Sequence, residues 1–461
     1  MTNPVPMREL PSIDRLLSED LFGVIEVRLG RDAAVRIARE AVAAVRDRID
    51  RGSGPTDVLA GVLQAAKEHF DRESATGLRR VINATGVIIH TNLGRSPLSA
   101  AAVSAIVERA SRYCSLEFDV ESGKRGRRGE RAESLICELT GAESAVIVNN
   151  CAAAAFLALK VLAAGKEVII SRGELVEIGG DFRVPDVLAE SGATLREVGT
   201  TNRTKLSDYE RAIGDNTGLI LKVHPSNFRV VGFTAAPTNS ELSALASERN
   251  IPFIEDAGSG ALSDLSEYGL GDEPLISRSI ADGVDVVMFS GDKLLGGVQA
   301  GFIVGKGEYI EKIRKSPMYR ALRVDKLAYA AIEETLSSFT RGRHFEDIPT
   351  LRMLSEPADR ILDRSRILVE NLVARTAGLK FEIIEGESVV GGGSAPDARP
   401  QTWLIAIEKA GTTAEDLSSS LRHRSTPMIG RIADGKLMLD LRTVFEDEEK
   451  ELEDAMAELA A

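Results

Sequence analysis

The stretch FSGDKLLGGVQAGFIVG, Phe289 to Gly305, places a lysine directly after an apolar run. A glycine pair follows Lys293, and a second apolar run closes the stretch. A lysine held at the end of a buried strand inside a cleft can act as a neutral amine and attack an aldehyde. On this stretch alone, a surface lysine in a turn is an equally good interpretation.

A carboxylate follows the preceding predicted strand, IPFIEDAGSG, which delivers Asp256 at its end. A buried carboxylate is costly unless it has a cationic partner. The protonated pyridine nitrogen of pyridoxal 5'-phosphate (PLP) is such a partner, and its protonation makes the ring an electron sink. Asp256 could instead simply cap the following turn. Ser290, three residues before Lys293, could reach the phosphate of such a cofactor.

A third segment, AVIVNN followed by CAAAAFLALK, predicts a strand that runs into a helix. The backbone N–H groups of Asn150, Cys151 and Ala152 would lie at the helix N-terminus, where small side chains and the helix dipole favour a phosphate. In that position the thiol pKa of Cys151 could be lowered. The order of phosphate helix, strand-end aspartate and lysine is that of fold-type I PLP enzymes.

The rest of the chain fits this interpretation. From about Ser144, apolar strands alternate with amphipathic helices, which predicts a largely parallel or mixed sheet with both faces covered. Helical spacing from Ile13 to Phe70, broken at Gly52, Gly54 and Pro55, predicts a small helical domain. We therefore predict an α/β protein with a helical domain at 1–75, a large cofactor-binding domain at 76–340 and a small α+β domain at 341–461.

Cysteine, histidine and apolar content exclude several classes of site. Three cysteines without a CxxC pair and five scattered histidines predict neither a disulfide framework nor a metal site. No apolar run reaches the roughly 20 residues of a membrane span. The first residues lack the features of a signal peptide. We expect a cytoplasmic protein without a membrane partner.

The net charge of −13 disfavours a nucleic-acid partner, but the charge is unevenly distributed. The first 80 residues carry as many basic as acidic side chains, and arginine recurs at helical spacing from Arg28 to Arg51. Helical arginines are most often solvated surface. Arginine nevertheless suits phosphate contacts better than lysine does.

Six longer segments carry a more specific resemblance. They are Arg79–Ser99, Phe118–Arg128, Ser171–Val187, Lys222–Thr234, Phe289–Gly301 and Met318–Leu327. They resemble the signature segments of the bacterial selenocysteine synthase family, the L-seryl-tRNA(Sec) selenium transferases. The resemblance extends from about residue 5 to about residue 450, and it includes the helical N-terminal segment.

The resemblance implies a fold-type I, aspartate-aminotransferase-like enzyme in which Lys293 holds PLP as a Schiff base. It implies that Asp292 orders the lysine and the substrate. It also implies that Arg95, Arg320 and Arg323 receive selenophosphate, because arginine forks suit a phosphate-like anion. The expected reaction converts L-seryl-tRNA(Sec) to L-selenocysteinyl-tRNA(Sec) through a PLP-bound aminoacrylyl-tRNA.

The resemblance also implies the partners. The tRNA body would be recognised by shape and phosphates through the N-terminal helices, with Arg28, Arg31, Arg36 and Arg39 as candidates. The chain would form a homo-oligomer, a decamer built as a pentamer of dimers. Two alternatives stay open: a PLP lyase that acts on a small molecule without RNA, and a noncatalytic RNA-binding relative, against which an intact Lys293 and Asp256 argue.

Overall fold

The computed structural model describes residues 9–74, 77–179 and 182–460. The first of two compact units contains the described residues up to Ile82 together with Ser419–Met428, and the second contains Asn83–Ser418 and the chain from Ile429 onward. The boundary expected between residues 340 and 341 falls inside the second unit, so the three-domain division stays a prediction. Residues 1–8 and 75 of its first domain, and 180–181 of one signature segment, lie outside the described residues.

The first unit is built from amphipathic helices. These are α1 (Ile13–Leu16), α2 (Asp20–Leu29), α3 (Arg31–Asp50) and α4 (Val58–Ser74). Helix α3 buries residues at the spacing of one helical face, from Ala34 through Ile37 to Val45, and these pack with Phe22 and Phe70. Because the break between α3 and α4 contains Gly52, Gly54 and Pro55, the predicted helical segment and its interruption are confirmed.

The remaining helices continue in chain order. They are α5 (Ala100–Ser111), α6 (Glu130–Thr140), α7 (Cys151–Ala163), α8 (Val184–Ser191), α9 (Leu206–Ala212), α10 (Asn239–Glu248), α11 (Ile276–Ala281), α12 (Gly307–Lys315), α13 (Pro317–Leu322), α14 (Lys326–Thr340), α15 (His344–Asp347), α16 (Pro349–Ser355), α17 (Ala358–Arg375), α18 (Ala414–Arg422) and α19 (Glu449–Ala460). Among the described residues, no helix is both long enough and apolar enough to cross a membrane.

The strands are short, as expected for units connected by helices. They are β1 (Ile82–Asn83), β2 (Phe118–Asp119), β3 (Lys124–Arg125), β4 (Ser144–Val148), β5 (Glu167–Ser171), β6 (Glu177–Gly179), β7 (Phe182–Arg183), β8 (Thr194–Val198), β9 (Thr217–Val223), β10 (Phe253–Asp256), β11 (Val286–Ser290), β12 (Gly301–Gly305), β13 (Leu379–Glu387), β14 (Gln401–Lys409), β15 (Met428–Ile429), β16 (Arg431–Ala433) and β17 (Lys436–Asp440).

A seven-stranded sheet in the order β4-β12-β11-β10-β9-β5-β8 forms the centre of the second unit. Strand β12 runs antiparallel to β4 and β11, and the other neighbouring pairs are parallel. Two apolar clusters pack against the sheet, one containing Ile147, Val287 and Phe289 and the other Val146 and Met288. Because neighbouring residues of a strand point to opposite faces, both faces are covered, and the predicted mixed sheet is confirmed.

The register brings the predicted site segments to one edge of this sheet. Gly301 pairs with Val148 on one side and with Ser290 on the other, and Met288 pairs with Asp256. A side chain at Gly301 would clash with the backbone carbonyl of Asn150, so a glycine is required there. The carboxyl ends of β4, β9, β10 and β11 therefore lie together, where open α/β sheets usually bind their ligands.

A second, four-stranded antiparallel sheet has the order β13-β14-β17-β16. Arg442 is 2% exposed, and its guanidinium forms hydrogen bonds with several segments around this sheet. It donates to the backbone carbonyls of Met353, Glu356 and Gln401 and to the hydroxyl of Ser388. The predicted α+β character of this part of the chain is confirmed.

Candidate active site

Lys293 lies in the turn that follows β11 and is only 8% exposed. The hydroxyl of Ser96 lies 2.9 Å from the backbone carbonyl oxygens of both Asp292 and Lys293. The turn is closed by hydrogen bonds from Gly297 N–H to Gly291 and from Gly291 N–H to Ala300. The interpretation of Lys293 as a surface lysine is therefore wrong, because the side chain is buried and its backbone is fixed.

Asp256, at the end of β10, is 6% exposed. Its Oδ1 accepts the N–H of Gly258 at 3.1 Å, so it does cap the following turn, and the thiol of Cys151 lies 3.7 Å away. Burial raises the pKa of Asp256, and its neighbours, among them the positive charge of Lys293, offset part of that rise. No lysine or arginine of the described residues forms an ion pair with this carboxylate, which leaves it available to a cationic ligand.

Asp292, adjacent to the lysine, is held by two side chains. Arg95 Nη1 donates to Asp292 Oδ2 at 2.6 Å, and Ser290 Oγ donates to Asp292 Oδ1 at 2.7 Å. Arg95 has a positive φ of 62°, unusual for a residue with a side chain, and its N–H donates to the carbonyl of His90. Ser290 is thus engaged with Asp292, whereas the sequence suggested a contact with the cofactor phosphate.

The N-terminus of α7 directly follows β4 at this edge of the sheet. The side-chain oxygen of Asn150 accepts the N–H of Ala153 at 2.8 Å. Its backbone carbonyl accepts the N–H of Ala154. The N–H groups of Cys151 and Ala152 have no intrahelical partner at this end and can bind an anion. The expectation of a lowered thiol pKa at Cys151 is wrong: burial and the nearby Asp256 raise the pKa of this thiol well above its usual value.

Two residues of this edge, His224 and Ser226, were not anticipated. His224 follows β9, and its N–H donates to the carbonyl of Asp256 at 2.9 Å. A Cβ on Gly258 would lie 3.8 Å from Ser226 Oγ and 3.9 Å from Lys293 Nζ, so both atoms border the same space. Ser226 Oγ and His224 Nδ1 are buried without a hydrogen-bond partner in the described part of the chain. The polar run HPSN directly after the apolar run GLILKV was the available signal.

The three arginines expected to bind an anion have different surroundings. Arg95 contacts Asp292, as described above. The backbone of Arg323 pairs with Val148 at the end of β4, and its guanidinium lies 3.6 Å from Glu117. Arg320, at the end of α13, is exposed and has no hydrogen bond or ion pair with any described residue. The structure thus brings Arg95 to the lysine turn and Arg323 to the end of β4, while Arg320 is free.

The four arginines of the first unit that were candidates for binding tRNA are not equivalent either. Arg31 is paired with Glu26 at 2.7 Å. Arg36 is paired with Glu40 and with Glu73, which raises its pKa. Arg28 lies 6.0 Å from the ring centroid of Phe70. Arg39 is exposed and has no ion pair with the described residues, so it is the member of the set most open to an external phosphate.

The geometry suits covalent chemistry on a carbonyl cofactor. It combines a buried amine, a buried carboxylate without an ion pair, and free backbone N–H groups at one sheet edge. In the described residues there is no group of three His, Cys, Asp or Glu side chains that could hold a metal ion.

Known proteins are similar to this chain over nearly its whole length. The model of the family described as L-seryl-tRNA selenium transferase matches residues 81–445. A protein of Geobacter sulfurreducens named L-seryl-tRNA(Sec) selenium transferase is 45% identical over 98% of this chain and 99% of its own length. A Clostridium perfringens protein of the same name is 46% identical over 98% of both chains. Among solved structures, D-glucosaminate-6-phosphate ammonia-lyase is similar with a TM-score of 0.59 and 22% identity, over 84% of this chain and 98% of that one.

Proposed function

The chain belongs to the L-seryl-tRNA selenium transferase family and converts L-seryl-tRNA(Sec) to L-selenocysteinyl-tRNA(Sec); we propose that it does so with PLP bound at Lys293. The observation that carries this proposal is the buried Lys293 beside Asp256, in a chain that matches its relatives from end to end. The fold is that of the aspartate-aminotransferase-like, fold-type I enzymes. Similarity to the ammonia-lyase, at 22% identity, concerns the fold alone.

The residues at the sheet edge fit PLP. The buried Asp256 carboxylate forms no ion pair with a described residue, and a protonated pyridine nitrogen would supply one. The N–H groups of Cys151 and Ala152 are free for a phosphate, and Gly301 keeps the approach to Asn150 open. Ser226 Oγ, which borders the same space as Lys293 Nζ, and His224 Nδ1 are buried without a partner among the described residues, and the polar substituents of the cofactor ring would satisfy them.

Each residue would then have a defined task. Bound PLP supplies an electron sink for charge that develops at the substrate Cα. Asp256 would keep the pyridine nitrogen protonated, and Lys293 would hold the cofactor and then remove the Cα proton of the seryl group. Asp292, fixed by Arg95 and Ser290, would orient Lys293 and the substrate. The seryl group would lose its β-hydroxyl as water. Selenium would then add at Cβ while its bond to phosphorus breaks, and water would take up the phosphoryl group as phosphate.

We assign selenophosphate to Arg95, Arg320 and Arg323. Among the described residues, Arg320 is exposed and has no ion pair, and the guanidinium of Arg323 has a long contact with Glu117, so both can bind an added anion. Arg95 is 33% exposed in its pair with Asp292, so part of its guanidinium can still be reached. Arginine forks bind phosphate-like groups through two parallel hydrogen bonds.

The tRNA body would be bound by the first unit, as its arginines suggest. Arg39 and Arg28 would make the stronger phosphate contacts, because Arg31 and Arg36 are already paired with carboxylates. We place the enzyme in the cytoplasm and expect a decamer, a pentamer of dimers. Exposed apolar side chains of the second unit support an assembly interface, namely Val103, Val107, Tyr113, Phe118 and Val120.

The decisive experiment compares wild type with Lys293→Ala, both saturated with PLP, on seryl-tRNA(Sec) with selenophosphate. Wild type should be yellow and form selenocysteinyl-tRNA(Sec). The variant should lose the bound chromophore and at least about 1,000-fold in rate, because the amine that holds the cofactor and moves the proton is gone. Lys160→Ala, which removes an exposed lysine of α7, is the control. Turnover of a small molecule by wild type without any RNA would contradict the proposal.

A further inference from the structure

A cavity of about 500 Å³ adjoins the active site and has no role in the reaction described above. His224 and Pro225 line one part of it, and Phe228 and Arg229 line another. The rest of the wall comes from residues between 269 and 273 and between 395 and 398. A cavity of this size lies in the range of small-molecule sites.

The segment 224–229 connects this cavity with the lysine. His224 is bonded to the backbone of Asp256, and Ser226 Oγ borders the same space beside Gly258 as Lys293 Nζ. Phe228 lies two residues beyond Ser226, at most about 7 Å along the chain. A substrate whose reacting amino acid lies at Lys293 can therefore extend into the cavity through the group attached to its carboxyl carbon.

The charges on the wall argue against an anionic occupant. Arg229 is paired with Asp272 at 3.1 Å and with Asp397 at 3.2 Å, so its charge is already compensated. Glu273 adds a third carboxylate to the wall. With three carboxylates against one guanidinium, the wall would repel a phosphate, and a neutral group is the better fit.

Two features of the wall match a nucleobase. Phe228 is 37% exposed and lines the cavity, so its ring is available for stacking, which proteins use to bind unpaired bases. Glu273 Oε1 accepts the N–H of Ala395 at 2.6 Å, whereas Glu273 Oε2 is buried without a hydrogen-bond partner in the described residues. A carboxylate oxygen in that state requires a donor, and an exocyclic amino group of a base is one.

We propose that this cavity binds the 3'-terminal adenosine of the aminoacylated RNA, with the adenine stacked on Phe228 and its amino group donating to Glu273. The inference rests on the proposed function, because an aminoacyl ester of an RNA carries a nucleoside on the carboxyl carbon of the reacting amino acid. The cavity thereby positions the seryl group, and it distinguishes an esterified serine from the free amino acid.

Stacking is tested with the full-length, PLP-loaded enzyme and seryl-tRNA(Sec) whose terminal adenine is replaced by 2-aminopurine, a fluorescent base that is quenched on stacking and that lacks the 6-amino group proposed to contact Glu273. Wild type should quench it. Phe228→Ala should abolish the quench. It should raise KM for unmodified seryl-tRNA(Sec) at least about fivefold, because the stacking of one base contributes a binding free energy of that size. Its kcat should stay within about twofold of wild type. Phe228→Trp should retain both, and Phe233→Ala, which removes a 91% exposed ring outside the cavity wall, is the matched control.

The contact with Glu273 is tested by a double-mutant cycle, in which the base and Glu273 are changed separately and together. A terminal purine without the amino group should raise KM for wild type but should not raise it further for Glu273→Ala. Equal quenching by wild type and Phe228→Ala, or additive effects at Glu273, would overturn the cavity assignment while turnover persists. Absence of any turnover of unmodified seryl-tRNA(Sec) by yellow wild type would instead overturn the proposed function, and the inference with it.

Discussion

Glu174 should make the second unit less stable as the pH rises through the neutral range. This carboxyl follows β5, is 9% exposed, and accepts the N–H of Val223, the last residue of β9, at 3.1 Å. Burial raises its pKa from 4.5 to about 8, with Glu255 adding to the rise and Lys222 opposing it. Glu174 is therefore uncharged at pH 7 and must ionise in a buried position above pH 8.

The sign and size follow from the two pKa values. A group whose pKa is raised by folding contributes stability that is fully present below its unfolded pKa, 4.5, and is lost as the pH approaches its folded pKa, about 8. The difference of about 3.5 pKa units corresponds to ~5 kcal/mol in total, of which ~3 kcal/mol is lost between about pH 5 and 7.5. Glu174→Gln keeps a carbonyl acceptor for Val223 and removes the titration.

The assay is urea unfolding of PLP-saturated wild type and Glu174→Gln. Unfolding is monitored by the fluorescence of Trp403, the single tryptophan, which lies in β14 of the second unit. The free energy of unfolding of the variant, relative to wild type, should rise by ~3 kcal/mol from about pH 5 to about pH 7.5. Glu190→Gln, at an exposed position of α8, should show no such trend. A difference between Glu174→Gln and wild type that stays constant with pH would refute the reasoning.

Three further substitutions test other contacts. Arg442→Ala leaves its buried acceptors unpaired and should lower the free energy of unfolding by about 3–5 kcal/mol in the same assay, whereas Arg366→Ala, in an exposed pair, should cost less than about 0.5 kcal/mol. Ser96→Ala should cost about 1–3 kcal/mol and weaken PLP retention, measured by dialysis, because the carbonyls beside the lysine lose their donor. Arg95→Ala should raise KM for selenophosphate at least about tenfold and lower kcat through the misplaced Asp292, and Arg95→Lys should restore part of kcat.

The sheet edge was predictable because its signals are local. Lys293 and Asp256 each follow an apolar run that is long enough for a buried strand, and the phosphate helix begins directly after a third. In an α/β sheet such strand ends meet at one edge, so the order of the runs along the chain already places them together. The helical N-terminal unit was equally accessible, since one face of each helix is apolar at regular spacing.

The contacts that fix the lysine were not predictable, because no local pattern encodes them. Ser96 and Lys293 are separated by 197 residues, as are Arg95 and Asp292. The same reason explains the arginines of the first unit: Glu73 on α4 neutralises Arg36 on α3, at a separation of 37 positions along the chain. A sequence shows where arginines recur, but only the packed helices show which are already paired.

Cys151 shows how burial can reverse a local expectation. From sequence, a thiol at a helix N-terminus should be acidified by the helix dipole. In the folded chain the thiol lies 3.7 Å from the carboxylate of Asp256, to which it donates. Burial and the Asp256 carboxylate both disfavour a thiolate, and together they outweigh the charge of Lys293. The thiol therefore acts here as a neutral donor to Asp256.

The two acidic candidates, Asp256 and Asp292, have roles that only the structure distinguishes. Both are about 95% buried and both lie near Lys293, so position in the sequence does not rank them. Asp292 already has a guanidinium and a hydroxyl, so a second cation would gain little from it. Asp256 has a backbone N–H and a thiol but no ion pair, so a cation placed there would remove most of the cost of burying its charge. This difference favours Asp256 over Asp292 as the partner proposed for the pyridine nitrogen, and it leaves Asp292 for the proposed role of orienting the lysine.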